Sequence, residues 1–278
     1  MIASVVATAT LVFGAALPAF AIALGASVGL SASAAASGTV GVSAGAQLKA
    51  TLITRAQDRA DQEITRRLNA LNSLSARVNE MQKLSTDEKS GLSATIQSQI
   101  GDMNTLEAQI ATDASANSTS SLKADIQAIT KSYRIFMLVI PQGAISAASD
   151  RVMTIVGMMT TLSGNLQTRI TAAQTAGSNM SVSVSALADL NAKIADANTQ
   201  AQAAVTETAG LQPDNGVQAV MQSNTAALKD ARSKIQTAQQ DLTAARKDAG
   251  TIVKVLIALK DSASAGSTTT VSASTSAQ

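Results

Sequence analysis

Apolar side chains recur at steps of three and four along most of the chain, the spacing that gathers them on one face of an α-helix. The first predicted helix runs from Gln47 to Leu84, with Leu48, Leu52, Ala56, Ala60, Ile64, Leu68, Leu71, Leu74, Val78 and Met81 on one face. Arg55, Asp58, Arg59, Asp61, Glu63, Arg66 and Arg67 fall on the other, where Glu63 and Arg67, four apart, can pair. Ser85-Thr86-Asp87-Glu88 reads as a capping box opening a second helix, whose face is Leu92, Ile96, Ile100, Met103, Leu106 and Ile110. A third starts near Ser120 with Leu122, Ile126 and Ile129. A fourth uses Val152, Ile155, Met159, Leu162, Leu166 and Ile170 and stops near Gly177. The fifth carries Val184, Leu187, Leu190, Ile194, Ala197, Ala201 and Val205 and stops at Gly210. Pro213-Asp214-Asn215-Gly216 is turn chemistry, and a sixth helix follows from Val217 to about Leu259.

The stretch YRIFMLVIPQGAISAASDRV, residues 133–152, breaks this regularity without breaking its period. Tyr133, Phe136, Ile140, Ala144, Ala148, Val152 and Ile155 continue by threes and fours straight through Pro141. That proline lacks an N–H, and its ring would meet the carbonyl of Met137. The pattern predicts a kink at Pro141 inside one element from about 121 to 177, roughly 85 Å long at the helical rise; a short break with Pro141 opening the fourth helix is the alternative. Tyr133, Phe136 and Pro141 are thus read as the core junction of two three-helix segments, 47–140 and 141–262. The apolar part of the stretch is too short for a second membrane span.

The chain ends differ from the middle. Ile2 to Leu24 is almost wholly apolar, and LVFGAALPAFA closes on Ala19-Phe20-Ala21, the small-x-small pattern of a signal-peptidase site. Residues 1–21 are read as a signal peptide cut after Ala21, with an uncleaved membrane anchor (2–24) as the alternative; no Lys or Arg precedes Lys49. Either way the bulk is expected outside the cytoplasm. Residues 22–46 are Gly/Ser/Ala-rich and read as a linker. Residues 263–278 are Ser/Thr-rich and read as a disordered tail.

Composition narrows the chemistry. Aromatics make up 1% of the chain and much of the apolar content is Ala, which favours helices over strands. The expected fold is therefore all-α: an elongated antiparallel helical bundle of two three-helix segments. With no Cys and no His, the chain has no disulfide, no thiol nucleophile and none of the commonest general base or metal ligand. The net charge of +2 comes without a basic block or stacking aromatics, so nucleic acid is not an expected partner.

The carboxylate clusters have plainer readings than acid–base chemistry. Asp58, Asp61 and Glu63 are interleaved with arginines, as a solvated helix face would be, and Asp87-Glu88 sits at a cap. No D-x-D-x-D-G loop, phosphate-cradling G-x-x-x-x-G-K or G-x-S-x-G context occurs. Asn117-Ser118-Thr119 fits a glycosylation acceptor, a frequent chance match in such a loop. No catalytic, cofactor-binding or metal residue is expected. Arg134, Asp150 and Arg151, at the borders of the central stretch, are the candidate interaction surface.

Two segments recur at an offset of 92 residues, Ala56-Gln57-Asp58-Arg59 with Ala148-Ser149-Asp150-Arg151 and Leu74–Val78 with Leu166–Ile170, fitting either a duplication or chance in an Ala/Leu-rich chain. In general plan only, over residues 47–262, helix order and length resemble spectrin-type repeats. The LPAFA leader, the Ala/Leu/Gln/Asp/Lys helices and the low-complexity ends resemble the exported coiled-coil-rich proteins common in bacterial genomes. That resemblance implies an envelope or secreted location and a protein partner or self-association. Three functions follow in order of expectation: a non-enzymatic structural or interaction bundle, a lipid-surface binder and an enzyme. Polar faces rich in Ser, Thr and Gln rather than Lys argue against the second; the missing His and Cys argue against the third.

Overall fold

The computed structural model describes residues 40–131 and 134–267. The chain divides after Gly45, and the helices pack together within the unit from Ala46 onward. The expected all-α class is observed: α1 (Val40–Glu80), α2 (Thr86–Ser115), α3 (Thr119–Lys131), a five-residue π-turn (Ile135–Val139), α4 (Ile140–Thr175), α5 (Ser181–Ala209) and α6 (Gln218–Ser267). The leader with Ala19 and Ala21 lies outside the described residues, as does Tyr133. α1 starts within the stretch read as linker, and α6 continues into the stretch read as tail. Extending a helix that already exists costs far less than starting one, which carries both through weak-propensity sequence.

Side-chain contacts fix the helix directions. Gln97 on α2 reaches Ser75 on α1, and Lys89 donates from the start of α2 to the Asn79 and Met81 carbonyls at the end of α1 (both 2.9 Å), so this pair is antiparallel. Ser163 and Gln142 on α4 meet Asn191 and Thr208 on α5, while Lys193 and Lys234 link α5 and α6 through Asp248 and Glu207. Those pairs are antiparallel too. α1 and the segment from Phe136 onward run parallel, with Arg66 and Arg67 against Phe136, Leu74 against Gly143, and residues 82–84 against Asp150.

Two cores result. One gathers Ile64, Leu71, Val78, Ile96, Met103, Ile110 and Ile129 from α1–α3, and the other Met159, Leu166, Ile170, Leu190, Ala197 and Ile252 from α4–α6. Between them lies a smaller cluster of Leu138 and Ile145 with Ala204, Leu228, Ala231 and Ile235. Within 138–156 the only exposed residue is Arg151. An ordinary surface helix keeps one polar face fully in water; over 140–150 every side chain of α4 is buried or half-buried.

The expected interruption of the long helix exists but is displaced. It falls at Arg134, whose backbone is left-handed (φ 45°), in place of the favoured kink at Pro141; Pro141 stands at the start of α4, as in the alternative reading. The π-turn accounts for this. Its wider ring, closed by the Ile140 N–H on the Ile135 carbonyl, opens the backbone immediately before Pro141, which then sits in the first turn of α4 where a missing N–H costs little.

Charges tie α5 to α6. Lys193 is held above its ordinary value by its hydrogen bond to Asp248, and Lys234 by those to Asp230 and Glu207. Between these pairs burial and the neighbouring Asp196 carboxyl push Asp241 upward. A raised carboxyl contributes stability below its unfolded value of 3.8 and loses it as pH rises through the folded value. Asp241→Asn is therefore expected to stabilise the protein at pH 7 by about 0.5 kcal/mol, with the gain gone below pH 3.8; urea titrations at both pH values check this, and an equal effect at both would refute it.

Gly143 gives a sharper test. A Cβ there would stand 2.3–2.8 Å from the buried Leu74 side chain, whereas a Cβ at Gly157 meets nothing within 4 Å. Gly143→Ala is expected to cost about 1–3 kcal/mol through overpacking, while Gly157→Ala on the same helix gains about 0.5–1 kcal/mol from propensity. Urea midpoints moving the same way for both would show that the α1–α4 approach is not tight.

Candidate functional site

The joint between the two cores collects most of the residues the sequence singled out, and its polar groups are directed inward. Arg134 precedes the π-turn. Its Nε stands 2.9 Å from Oδ2 of Asp214 and its Nη2 3.2 Å from Oδ1, which pins the start of the central helix to the α5–α6 loop. Asp214 is buried in the predicted Pro-Asp-Asn-Gly turn, where its Oδ1 also accepts from the Gly216 N–H (2.8 Å), and Asn215 and Gly216 take the positive φ such a turn requires. Burial opposes its charge, but the Gly216 N–H and the Arg134 guanidinium outweigh it and hold the carboxyl below its ordinary range.

Asp150 acts as a staple. Its Oδ1 accepts from the backbone N–H groups of Gln82 (2.8 Å), Lys83 (2.5 Å) and Leu84 (3.2 Å), three donors in the α1–α2 loop that no helix satisfies. The same loop carries the predicted capping box: Ser85 Oγ accepts from the Glu88 N–H (3.2 Å) and Glu88 Oε2 from the Ser85 N–H (2.9 Å). Arg134 and Asp150 thus serve the fold from half-buried positions, and Arg151 alone of the three candidates is exposed.

Phe136 is at the junction as expected, but half-buried and under charge. The guanidinium carbons of Arg66 and Arg67 lie 4.7 and 5.2 Å from its ring centroid. The helical-face reading placed Arg67 in water; it is 6% exposed and occupies the core seam between Ile64 and Leu71. Its predicted partner Glu63 meets it through both carboxylate and main-chain carbonyl, and the aromatic face covers the cation. The signal was present, since Ala60, Ile64, Arg67, Leu71 and Leu74 are also spaced by threes and fours; the rule that charges face water hid it.

The residues that sequence reasoning missed are glutamines. Gln142, 6% exposed, donates through Nε2 to the Thr208 (2.8 Å) and Leu211 (3.2 Å) carbonyls at the end of α5. Its Oε1 is buried without a donor, and so is that of Gln99. Both side chains line a cleft of about 280 Å³ with Ala94, Thr95, Ser98, Leu138, Val139, Leu211, Gln212 and Pro213. A buried carbonyl left without a donor costs about 1–3 kcal/mol, which makes two around one cleft notable. A second cleft, of about 360 Å³, is bounded by Lys83, Ser85, Glu88, Met153, Gln202, Val205 and Thr206.

Among the described residues no group of three or more Asp or Glu is placed to hold a metal ion, and no helix is long and apolar enough to cross a membrane. No family model, curated protein or solved structure matches this chain.

Two outcomes test the joint. Asp150→Ala is expected to cost about 2 kcal/mol by leaving three N–H groups without their acceptor; hydrogen exchange should then quicken at residues 82–84 while α6 keeps its protection, and unchanged exchange there would remove the staple. Arg134→Met is expected to cost about 2 kcal/mol at pH 7 by stranding a buried carboxylate. Because the depressed Asp214 contributes stability above its unfolded value of 3.8 and loses it as pH falls through the folded one, that penalty should shrink below pH 3.8. A pH-independent penalty in urea denaturation would dissociate the two residues.

Proposed function

We propose that this chain is a non-enzymatic helical scaffold that acts by contact, with a protein partner or with further copies of itself, in the cell envelope or outside the cell. The observation that carries this reading is the use made of the polar groups at the joint. Asp150, Arg134, Asp214 and the Gln142 amide each hold one helical segment to another, which is what a protein needs in order to present fixed helix faces. The apolar leader supports an exported location, with an anchor at 2–24 as the variant of the same reading.

Apolar side chains left in water mark where contact would be made. Met158 and Leu162 stand one turn apart on α4, and Val253 and Ile257 one turn apart on α6. Helix pairs of this spacing are what a groove-seeking partner helix covers. A photo-crosslinking residue at Met158 or Ile257, in the full chain expressed in its own cells, is expected to give a discrete adduct with a protein or with a second copy. The same probe at exposed Ser223, away from these pairs, should give none; identical patterns at all three positions would count against the reading.

Lys254 and Lys260 flank Ile257 by one turn on either side, an arrangement compatible with anionic lipid headgroups. On this second reading the full chain floats with anionic liposomes at low salt and is released by Ile257→Gln. Flotation that ignores Ile257→Gln, or none, leaves the protein-contact reading in place.

A further inference from the structure

We propose that Asn215 is a site of spontaneous covalent modification, in which its side chain closes on the Gly216 nitrogen and ends as aspartate or isoaspartate, and that the Arg134–Asp214 contact controls the rate. The inference goes beyond the scaffold reading and does not depend on it.

Asparagine is thermolabile because the main-chain nitrogen of the next residue can attack its side-chain carbonyl carbon. The chain has eleven asparagines, and only Asn215 is followed by glycine, which puts no side chain in the way of that attack. Eight of the others lie within helices, where the next N–H is already held by a carbonyl. Asn117 and Asn179 stand in turns but are followed by Ser118 and by the buried Met180. Asn215 is exposed, so water and base reach it whenever its turn opens.

The chemistry needs no partner but water. The Gly216 nitrogen bonds to Cγ of Asn215 and gives its proton to solvent base. The Cγ–Nδ2 bond breaks, and Nδ2 takes up a proton and leaves as ammonia. Water then opens the cyclic imide. Opening at Cγ gives aspartate; opening at the main-chain carbonyl gives isoaspartate, with the backbone running through Cβ.

The folded chain holds the reacting atoms apart. Asn215 and Gly216 have φ of 48° and 87°, and the Val217 N–H donates to the Asp214 carbonyl (2.8 Å), which closes a type I′ turn. Imide closure needs the Asn215 Cβ and the Gly216 nitrogen nearly eclipsed about the Cα–C bond, and a type I′ turn does not provide this. The attacking nitrogen is also occupied, since its N–H donates to Asp214 Oδ1 (2.8 Å). Removing that proton would leave negative charge beside a carboxylate, which like-charge repulsion opposes. Arg134 keeps the carboxylate in place through Nε on Oδ2 (2.9 Å). The guard and the joint are therefore one contact. Isoaspartate adds a backbone atom to the turn that Asp214 closes, so each reaction loosens the joint irreversibly.

The test is a time course on the full chain at pH 8, with peptide mass mapping of the NH₂-to-OH exchange. In urea Asn215 is expected to be the fastest of the asparagines; in the folded chain it should react tenfold or more slower than in urea. Asp214→Ala should raise the folded-state rate tenfold or more and Arg134→Met threefold or more; the second decides should the first fold poorly. Asp150→Ala, which weakens the other end of the crossing, should leave the rate within twofold. The product, separated by its added negative charge, should exchange faster than the unreacted chain at Met137 and Leu138, whose N–H groups donate to the Arg134 carbonyl (3.1 and 2.8 Å). Equal rates in folded and denatured chain, no acceleration by either latch variant, equal acceleration by Asp150→Ala, or unchanged exchange in the product would overturn the proposal.

Discussion

The structure depends on a helix whose first turns carry no fully exposed side chain before Arg151. The first turns of α4 are approached by α1 on one side and by the α5–α6 hairpin on another, and a helix can be packed so closely only if its side chains are small enough for the neighbours to approach. Pro-Gln-Gly-Ala-Ile-Ser-Ala-Ala-Ser meets that condition. Gly143 lets Leu74 of α1 rest where a Cβ would be, Ser146 and Ser149 are buried with little bulk, and Ile145 supplies the apolar contact to α6. With both cores meeting this segment, the two helical trios are parts of one packed unit.

A segment made of small residues buries little apolar area, so specific polar contacts supplement it. They sit at its two ends. Arg134–Asp214 and the Gln142 amide fix the N-terminal end to the α5–α6 loop, and Asp150 fixes the other end to the α1–α2 loop. Each ties a loop rather than a helix face, since loops are where backbone groups still lack partners. The energetic division is thus apolar burial within each trio and directed hydrogen bonds at the crossing. The same crossing leaves the buried Gln99 and Gln142 side-chain carbonyls and the Ser149 hydroxyl without hydrogen-bond partners.

Much of this was legible in the sequence because helices announce themselves by period. The capping box at Ser85, the Pro213–Gly216 turn, the Glu63–Arg67 pair and the importance of residues 133–152 all rest on spacings of four residues or fewer. What the spacing rule mishandled was Arg67, because a cation in the core seam is tolerable only when a distant Phe136 and a near Glu63 both cover it. The favoured kink at Pro141 is replaced by an interruption at Arg134, while Pro141 stands in the first turn of the fourth helix as the alternative reading had it; nothing local reports the π-turn ahead of it.

The sequence by itself determined the helical segments, the capping box and the Pro-Asp-Asn-Gly turn, since these follow from the 3.6-residue repeat and from side chains bonding to their own neighbourhood; of the expected seams, Leu48, Leu52, Leu162 and Val184 are exposed while Ile53 and Arg67 are buried. Only the tertiary structure decided what Asp150, Arg134, Gln142 and Gly143 are for. Their partners lie 66 to 80 positions away for the three polar residues, and at Leu74 for the glycine. No periodicity spans such a separation, so an aspartate that staples a loop and one that faces water look alike until the chain has folded.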